Sequence, residues 1–235
     1  MNRKRSRGFV LVTSLIFLIV LSVLGVMAMR GSLFEQRMAA NDRDMNMARE
    51  FAEMALRDAE RDILGLHFDG VSFCAAALSD CTNVRPAGTR PVSAADAGNF
   101  WSASNPAIDD IALEDGGLNQ DLELQGVYNA RSSIACNGPV WSGADWVDGV
   151  ARSCGGTINE AVPTVAYGTF TDAPFNAPGV NPPRYMIEMF RADDLGITPP
   201  SNKLFFRITA VGFGRSNVDA NRPTSITLQS VFSPL

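Results

Sequence analysis

Hydrophobic and polar residues are distributed most unevenly near the start of the chain. Residues 9–29 contain no charged side chain, and as an α-helix they would be about 31 Å long, which is enough to cross a bilayer core. The segment before them is basic, and no acidic residue precedes Glu35. Because basic flanks stay on the cytoplasmic side, we predict a cytoplasmic N-terminus and place the chain beyond Arg30 across the membrane.

Residues 30–64 are predicted to continue the same helix as an amphipathic segment. Their apolar side chains recur at spacings of three, four and seven residues, which form one stripe along an α-helix. The predicted stripe consists of Phe34, Met38, Met45, Ala48, Ala52, Leu56, Ala59 and Ile63. Charged residues, Asp58 among them, are assigned to the opposite, solvated face, and Gly65 is predicted to end the helix.

The remainder of the chain divides into a loop-rich part, residues 65–183, and a β-rich part, residues 184–235. Gly, Pro, Asn and Asp are frequent in the first part, which indicates turns between short elements. Alternating apolar residues predict three strands, over residues 185–190, 204–212 and 224–232. Consecutive strands usually pair, so we expect an antiparallel meander packed on the long helix, with residues 217–223 as a long hairpin connection. The predicted fold class is α+β.

The composition of the chain argues against a nucleic-acid partner. The chain has 235 residues and a formal net charge of −5, so one globular domain beyond the helix is expected. Its only lysines are Lys4 and Lys203. A nucleic-acid surface needs clustered cations that displace counterions, so no nucleic-acid partner is predicted.

Four cysteines, Cys74, Cys81, Cys136 and Cys154, lie beyond the predicted membrane span. An even number of cysteines outside the cytoplasm predicts two disulfides. Four cysteines allow three pairings, of which sequence proximity favours Cys74–Cys81 with Cys136–Cys154. A zinc site is the competing interpretation, but no CxxC pair is present and the only histidine is His67.

No catalytic, cofactor or metal site is predicted from the motifs of the chain. His67 is interpreted as a surface or boundary residue, and neither a G-x-S-x-G nor a Walker A motif occurs. Gly212-Phe-Gly214 lacks the third glycine of a dinucleotide loop and is interpreted as a strand end. Asp109-Asp110 and the acidic segment 114–121 prompt a calcium hypothesis, but their spacing is not that of an EF-hand, so turn-forming acids are favoured.

The junction Arg7-Gly8-Phe9 places a basic residue, a glycine and a phenylalanine at the predicted cytoplasmic membrane face. It resembles the class III leader of type IV prepilins, which implies that a membrane peptidase cuts after Gly8 and methylates Phe9. A cleavable secretory signal is disfavoured, because the apolar run is long and no small-x-small site follows it. An uncut signal anchor is the remaining alternative.

The helix sequence closely resembles the N-terminal region of PilX-type minor pilins over residues 1–65. The matching features include Leu24-Gly25, Met29-Arg30, Glu35-Gln36-Arg37-Met38-Ala39, Asn41 and the Ala-rich segment 53–60. A weaker resemblance returns near the C-terminal end, where three segments look like the closing strands of that family. These segments are residues 184–188, 206–214 and 228–232.

The resemblance implies a leader at residues 1–8, a helix at residues 9–64 and a periplasmic globular domain at residues 65–235. Residues 9–29 would span the bacterial inner membrane. The implied function is that of a minor pilin, not an enzyme, which helps to prime pilus assembly in a tip-located complex and presents a PilY-type adhesin. The implied partners are other minor pilins, the major pilin, that adhesin, the prepilin peptidase and the inner-membrane assembly platform.

The chain departs from the pattern of major pilins at Thr13, the fifth residue if Phe9 becomes the N-terminus. Major pilins resemble one another in having a glutamate there, which is thought to pair with the N-terminal ammonium of a neighbouring subunit. Thr13 has no carboxylate, so the chain is a poor candidate for the repeating subunit. It is a better candidate for a tip subunit, and the K-class pseudopilin of type II secretion shares this absence.

Three alternative functions stay open from the sequence. A K-like pseudopilin of type II secretion usually has a larger inserted helical domain than the loop-rich part here allows. A DNA-uptake or adhesion receptor would need a cationic stripe on the folded domain. A single-pass membrane enzyme is disfavoured by the missing catalytic motifs.

Overall fold

A computed structural model describes residues 7–74, 90–102, 126–129, 139–144, 146–147, 162–191, 196, 204–219 and 222–233. The chain divides into two compact units, Met1–Asp44 and Met45–Leu235. The first unit is the beginning of helix α1, which runs over Arg7–Ile63. The second unit contains the rest of α1 and the globular part.

Helix α1 ends in the way that Gly65 predicts. The amide of Leu66 donates to the Arg61 carbonyl at 2.9 Å, and the amide of Gly65 donates to the Asp62 carbonyl at 3.1 Å. Gly65 itself has a φ of 70°. This pair of hydrogen bonds around a left-handed residue is a Schellman motif, which satisfies carbonyls that the helix end would otherwise leave free.

Short elements follow the helix. They are β1 (His67–Phe68), β2 (Phe73–Cys74), α2 (Ala94–Phe100), β3 (Val127–Asn129), a single 3₁₀ turn (Val140–Ser142) and β4 (Val165–Ala166). Strands β1 and β2 form a small antiparallel hairpin. Helix α2 begins at Ser93, whose side chain accepts a hydrogen bond from the Asp96 amide, as is typical of a helix N-cap.

The central sheet has five strands in the order β3-β5-β6-β7, and β4 also pairs with β5. Its long strands are β5 (Arg184–Arg191), β6 (Leu204–Asp219) and β7 (Arg222–Phe232). Each pairs antiparallel with the next, which confirms the predicted meander and the α+β class. Strand β3 pairs parallel with β5, an addition that the sequence analysis did not predict.

The predicted long connection over residues 217–223 is wrong, because both strands extend into it. Strand β6 reaches Asp219 and β7 begins at Arg222. The pairing is irregular between Phe213 and Asp219, and such bulges let a Gly- and Asn-containing stretch stay in a sheet. Gly212-Phe-Gly214 was predicted to be a strand end, but it lies inside β6 because this strand continues to Asp219.

The core lies between the second half of α1 and the sheet. Ala48, Ala52, Ala55 and Ala59 are fully buried on the helix, together with Ile63. They face alternate residues of β5 and β6, which share one side of the sheet because the strand repeat is two residues. This side of the sheet presents Tyr185, Ile187, Met189, Phe206, Ile208 and Ala210 to the core.

The predicted apolar stripe of α1 is confirmed from Ala48 to Ile63. By contrast, Phe34, Met38 and Met45 are exposed in this structure. The assignment of Asp58 to a solvated face is wrong, since its side chain is fully buried. Burial of a carboxyl group requires hydrogen-bond partners, which the globular unit supplies.

Candidate functional site

The first candidate surface is the apolar start of α1. Its large apolar side chains from Phe9 to Met29 have exposed fractions between 47% and 74%. Among the described residues, α1 is the one helix that is long and apolar enough to cross a membrane. Exposure of so much apolar surface to water is unfavourable by about 25 cal/mol per Å², so this surface requires lipid or other apolar helices around it.

Thr13 uses its hydroxyl within its own helix. Its Oγ1 donates a hydrogen bond that reaches the carbonyls of Phe9 and Val10, both at 3.0 Å. Ser14 and Ser22 make similar bonds to the carbonyls of Leu11 and Ile19. Hydroxyl groups that back-bond in this way are satisfied without water or another chain. Because cleavage after Gly8 would leave Phe9 in the chain, the hydrogen bond from Thr13 to the Phe9 carbonyl would remain in the processed protein.

The predicted processing site lies at the edge of the described residues. Helix α1 begins at Arg7, so Gly8 and Phe9 are helical, whereas residues 1–6 lie outside the described part of the chain. Cleavage after Gly8 and methylation of Phe9 stay predictions. The boundaries of the predicted leader, helix and globular domain also stay predictions.

One of the four predicted disulfide cysteines falls in the described part of the chain. Cys74 is disulfide-bonded and lies in β2, opposite His67 of β1. Cys81, Cys136 and Cys154 lie outside the described residues, so the pairing of the four stays a prediction. The acidic segments 109–110 and 114–121 lie outside them too. Within the described residues, no group of three or more metal-ligating side chains is placed to hold a metal ion.

The second candidate site is a buried polar cluster around Asp58 at the end of α1. The Asp58 carboxylate accepts hydrogen bonds from the Gly168 amide at 2.7 Å and from the Thr171 hydroxyl. Both donors belong to the turn that follows β4. Burial raises the pKa of Asp58 from 3.8 to about 6, although both hydrogen bonds lower it. Asp58 therefore ties the turn to the helix.

Asp62 lies one turn further along α1 and forms a buried ion pair. Arg90 Nε donates to Asp62 Oδ2 at 2.8 Å, and both side chains are at most 3% exposed. The Tyr185 hydroxyl of β5 donates to the same oxygen at 2.9 Å. The Arg90 guanidinium also lies 4.1 Å from the centre of the Phe170 ring. One carboxylate thus joins the helix, the central sheet and the segment before α2.

His67 follows the helix and is 1% exposed, which corrects its interpretation as a surface or boundary residue. Neither of its ring nitrogens has a hydrogen-bond partner among the described residues. Burial of an unpaired polar group is unfavourable by roughly 1–3 kcal/mol. His67 nevertheless sits inside because β1 is fixed between β2 and the turn after β4, where the Phe68 amide donates to the Thr171 carbonyl at 2.6 Å.

The burial of Asp58 and Asp62 was not predicted, although the helix periodicity indicates it. Asp58 and Asp62 are four residues apart, and each lies three residues after a buried alanine, Ala55 or Ala59. These spacings place them on the same helix face as the alanines. Neither Arg90 nor Tyr185 carries a local signal, since their partner is distant in the chain.

The Asp58 pKa gives a testable pH dependence. Because the folded-state pKa of about 6 exceeds the ordinary 3.8, the folded protein binds more protons between these values. Its free energy of unfolding should therefore fall as pH rises from 4 to 7, by about 2 kcal/mol from this group. Asp58→Asn should remove this slope, because an amide does not titrate, and its oxygen can still accept from the Gly168 amide.

Urea unfolding of the full-length protein in detergent, followed by tryptophan fluorescence between pH 4 and 7, measures this slope. Glu53→Gln is the control, because Glu53 lies on the same helix with half of its side chain exposed. It should leave the slope unchanged. An unaltered slope in Asp58→Asn would show that another group causes the pH dependence.

A long apolar N-terminal helix whose later part packs on an antiparallel-rich sheet defines a pilin-like protein. Two family models match the chain: PilX N-terminal over residues 7–57, and Type IV pilus assembly protein PilX C-term over residues 71–234. The chain therefore belongs to the PilX family. No curated protein and no solved structure matches it.

Family membership supports the assignment of the chain as a minor pilin of type IV pili. The family is structural and non-enzymatic, and its members interact with other pilus components. The apolar helix together with the pilin family indicates membrane anchoring.

Proposed function

We propose that this protein helps to prime type IV pilus assembly as a tip-located minor pilin that presents a PilY-type adhesin. The proposed tip position rests on the side chain of Thr13. Its hydroxyl is directed to carbonyls of its own helix, and it offers no carboxylate to the N-terminal ammonium of a neighbouring subunit. A repeating subunit would need that carboxylate to offset the unfavourable burial of the ammonium in the bilayer.

The proposed maturation follows from the order of segments along the chain. The protein inserts in the inner membrane with its N-terminus in the cytoplasm, and the prepilin peptidase cuts after Gly8 and methylates Phe9. The globular part then lies in the periplasm, where Cys74, Cys81, Cys136 and Cys154 form two disulfides. The exposed apolar helix packs with the helices of the major pilin and other minor pilins on the assembly platform.

The main competing function is that of a K-like tip subunit in a type II secretion pseudopilus. Such a subunit shares the missing carboxylate, so Thr13 does not separate the two. The family match supports the pilus assignment. A DNA-uptake or adhesion receptor has weaker support, since the family match is to a pilus assembly protein.

Gold labelling of an epitope-tagged protein tests the proposal. The tag belongs in the turn between β1 and β2, where Val71 is 88% exposed, because exposed turns tolerate insertions. We expect label at one end of sheared pili, at a few copies per filament, and fewer pili of unchanged composition after deletion.

Gly8→Val is the matched control, since it should leave an unmethylated precursor in the membrane and no label on pili. Mass spectrometry of the wild-type N-terminus should find N-methylated Phe9. Label spaced regularly along every filament would make the protein a shaft subunit and would refute the inference from Thr13.

A further inference from the structure

Loop 167–183 connects β4 to β5 and lies against one side of α1. Its two ends are joined, because the Tyr167 amide donates to the Pro183 carbonyl at 2.8 Å. Between the ends, the ring of Phe175 lies edge-on to the ring of Phe51 on α1, with 5.4 Å between their centres. A loop with joined ends can open locally as one unit while the remainder of the protein stays folded.

Asp58 supplies a polar attachment of this loop to α1. Asp58 and Phe51 are seven residues apart and therefore lie on the same side of the helix. The Asp58 carboxylate accepts hydrogen bonds from the Gly168 amide at 2.7 Å and from the Thr171 hydroxyl. The Phe68 amide of β1 donates to the Thr171 carbonyl at 2.6 Å. One carboxylate thus joins the loop to the helix and, through the loop, to β1.

The two buried carboxylates of α1 differ in the charge of their partners. Asp62 is paired with the Arg90 guanidinium, whereas both donors to Asp58 are neutral groups. The Asp58 side chain is fully buried, so the loss of its proton leaves a charge that water does not reach. The two hydrogen bonds offset this cost only in part, since burial raises the pKa of Asp58 to about 6 in their presence.

The other titratable groups near Asp58 come from the helix, the loop and the sheet. On α1, Asp62 raises the pKa of Asp58 and Arg61 lowers it, both by less than burial raises it. The loop contributes Tyr167 and strand β5 contributes Tyr185. Burial raises the pKa of both tyrosines, so both hydroxyls keep their protons at neutral pH. Asp58 is therefore the member of this group whose ionisation changes between acid and neutral pH.

Two features of the closed loop favour its opening. Asp172 has a φ of 55°, a conformation that residues other than glycine rarely adopt. In β1, which is bonded to the same loop, His67 is buried and neither of its ring nitrogens has a hydrogen-bond partner among the described residues. Relaxation of the loop backbone would relieve the first feature, and movement of β1 with the loop would relieve the second.

We propose that loop 167–183 is a pH-sensitive device, which protonated Asp58 holds closed on α1 and which opens more often once this carboxyl group ionises, while the helix and the central sheet stay folded. In the open state, water hydrates the carboxylate and replaces the donors of Gly168 and Thr171. Closing the loop at neutral pH takes up a proton, so acid closes the loop and neutral pH loosens it. The inference concerns the folded chain and does not depend on the proposed function.

Hydrogen exchange of the full-length protein in detergent tests the proposal at pH 5 and pH 7.5. Comparison with the intrinsic exchange rate at each pH gives a protection factor for each amide. The pKa of Asp58 is about 6 in the closed loop and ordinarily 3.8, so the protection factor of the Gly168 amide should fall about tenfold at the higher pH. About 0.5 M urea should leave it unchanged and lower that of Ile208 inside β6, because only global unfolding exposes much surface.

Three variants separate the titration of Asp58 from its structural role. Asp58→Asn does not titrate, so the protection factor of the Gly168 amide should be the same at both pH values. Thr171→Val removes a donor that binds the ionised carboxylate more strongly than the neutral one, so the fall should exceed tenfold. Glu53→Gln alters a half-exposed acid of the same helix and should keep the wild-type fall. Equal melting temperatures at pH 5 would show that the variants are folded.

Each contrary outcome overturns the inference. Equal protection of Gly168 at both pH values in the wild type, or a fall that persists in Asp58→Asn, would refute the role of Asp58. A Gly168 amide as sensitive to urea as the Ile208 amide would show that the loop opens only when the whole domain unfolds. Protection that decreases as the pH is lowered would assign the pH dependence to His67 instead.

Discussion

Gly212→Ala should lower the free energy of unfolding of the globular part by more than about 3 kcal/mol, because there is no space for a side chain at this position. A Cβ on Gly212 would lie 2.0 Å from the Ala48 carbonyl oxygen and 2.3 Å from the Ala52 amide nitrogen. Both atoms belong to the backbone of α1, so no side-chain rotation relieves the contact. The helix would have to move away from β6.

Gly98→Ala is the matched control for this substitution. Gly98 lies within α2, and an added Cβ would meet nothing within 4 Å. There, alanine should raise the free energy of unfolding by roughly 0.5–1 kcal/mol, because it favours the helix over the unfolded chain. Urea unfolding followed by tryptophan fluorescence measures both. A Gly212→Ala variant as stable as the wild type would show that helix and strand are not packed at their backbones.

The elements with regular patterns were predictable from the sequence. The charge-free run and the alanine spacing predict α1, and Gly65 predicts its end. The alternation of apolar residues predicts β5, β6 and β7. These patterns work because burial of one side of an element requires a repeat that matches its geometry.

The short elements were not predictable in the same way. Strand β3 has three residues, too few to establish an alternation, and its parallel pairing with β5 depends on chain segments that are distant in sequence. The hairpin of β1 and β2 is shorter still. Helix α2 is the exception, since Ser93 followed by Asp96 three residues later is a capping pattern that indicates the start of a helix.

The buried polar cluster shows a different limit of sequence reasoning. Asp62 is on the core face of α1, and the spacing to Ala59 could have revealed this. The identity of its partners could not be inferred, because Arg90 and Tyr185 reach it from separate parts of the chain. A buried carboxylate requires such partners, but any arginine or tyrosine of the chain could meet that requirement.

Arg90→Met should lower the free energy of unfolding by about 3–5 kcal/mol, because it removes a cation that is paired with the buried Asp62 carboxylate. Asp62 is 0% exposed and Arg90 is 3% exposed, so water cannot replace the lost partner. The Tyr185 hydroxyl would remain as a donor to Asp62. Burial and the nearby Asp62 raise the pKa of Tyr185 well above its ordinary value, so its proton stays in place.

Two further variants separate the effect of an unpaired charge from that of the ion pair itself. Arg49→Met removes a partner of Glu53 from an ion pair whose side chains are 65% and 50% exposed, and should change stability by less than about 1 kcal/mol. Asp62→Leu combined with Arg90→Met removes both buried charges, so it should recover most of the stability that Arg90→Met loses. Urea unfolding at pH 7 compares the three variants. If Arg90→Met is no more destabilising than Arg49→Met, the ion pair does not hold the segment before α2 against the helix. If the double variant is less stable than Arg90→Met, the loss of stability comes from missing packing and not from the charge left on Asp62.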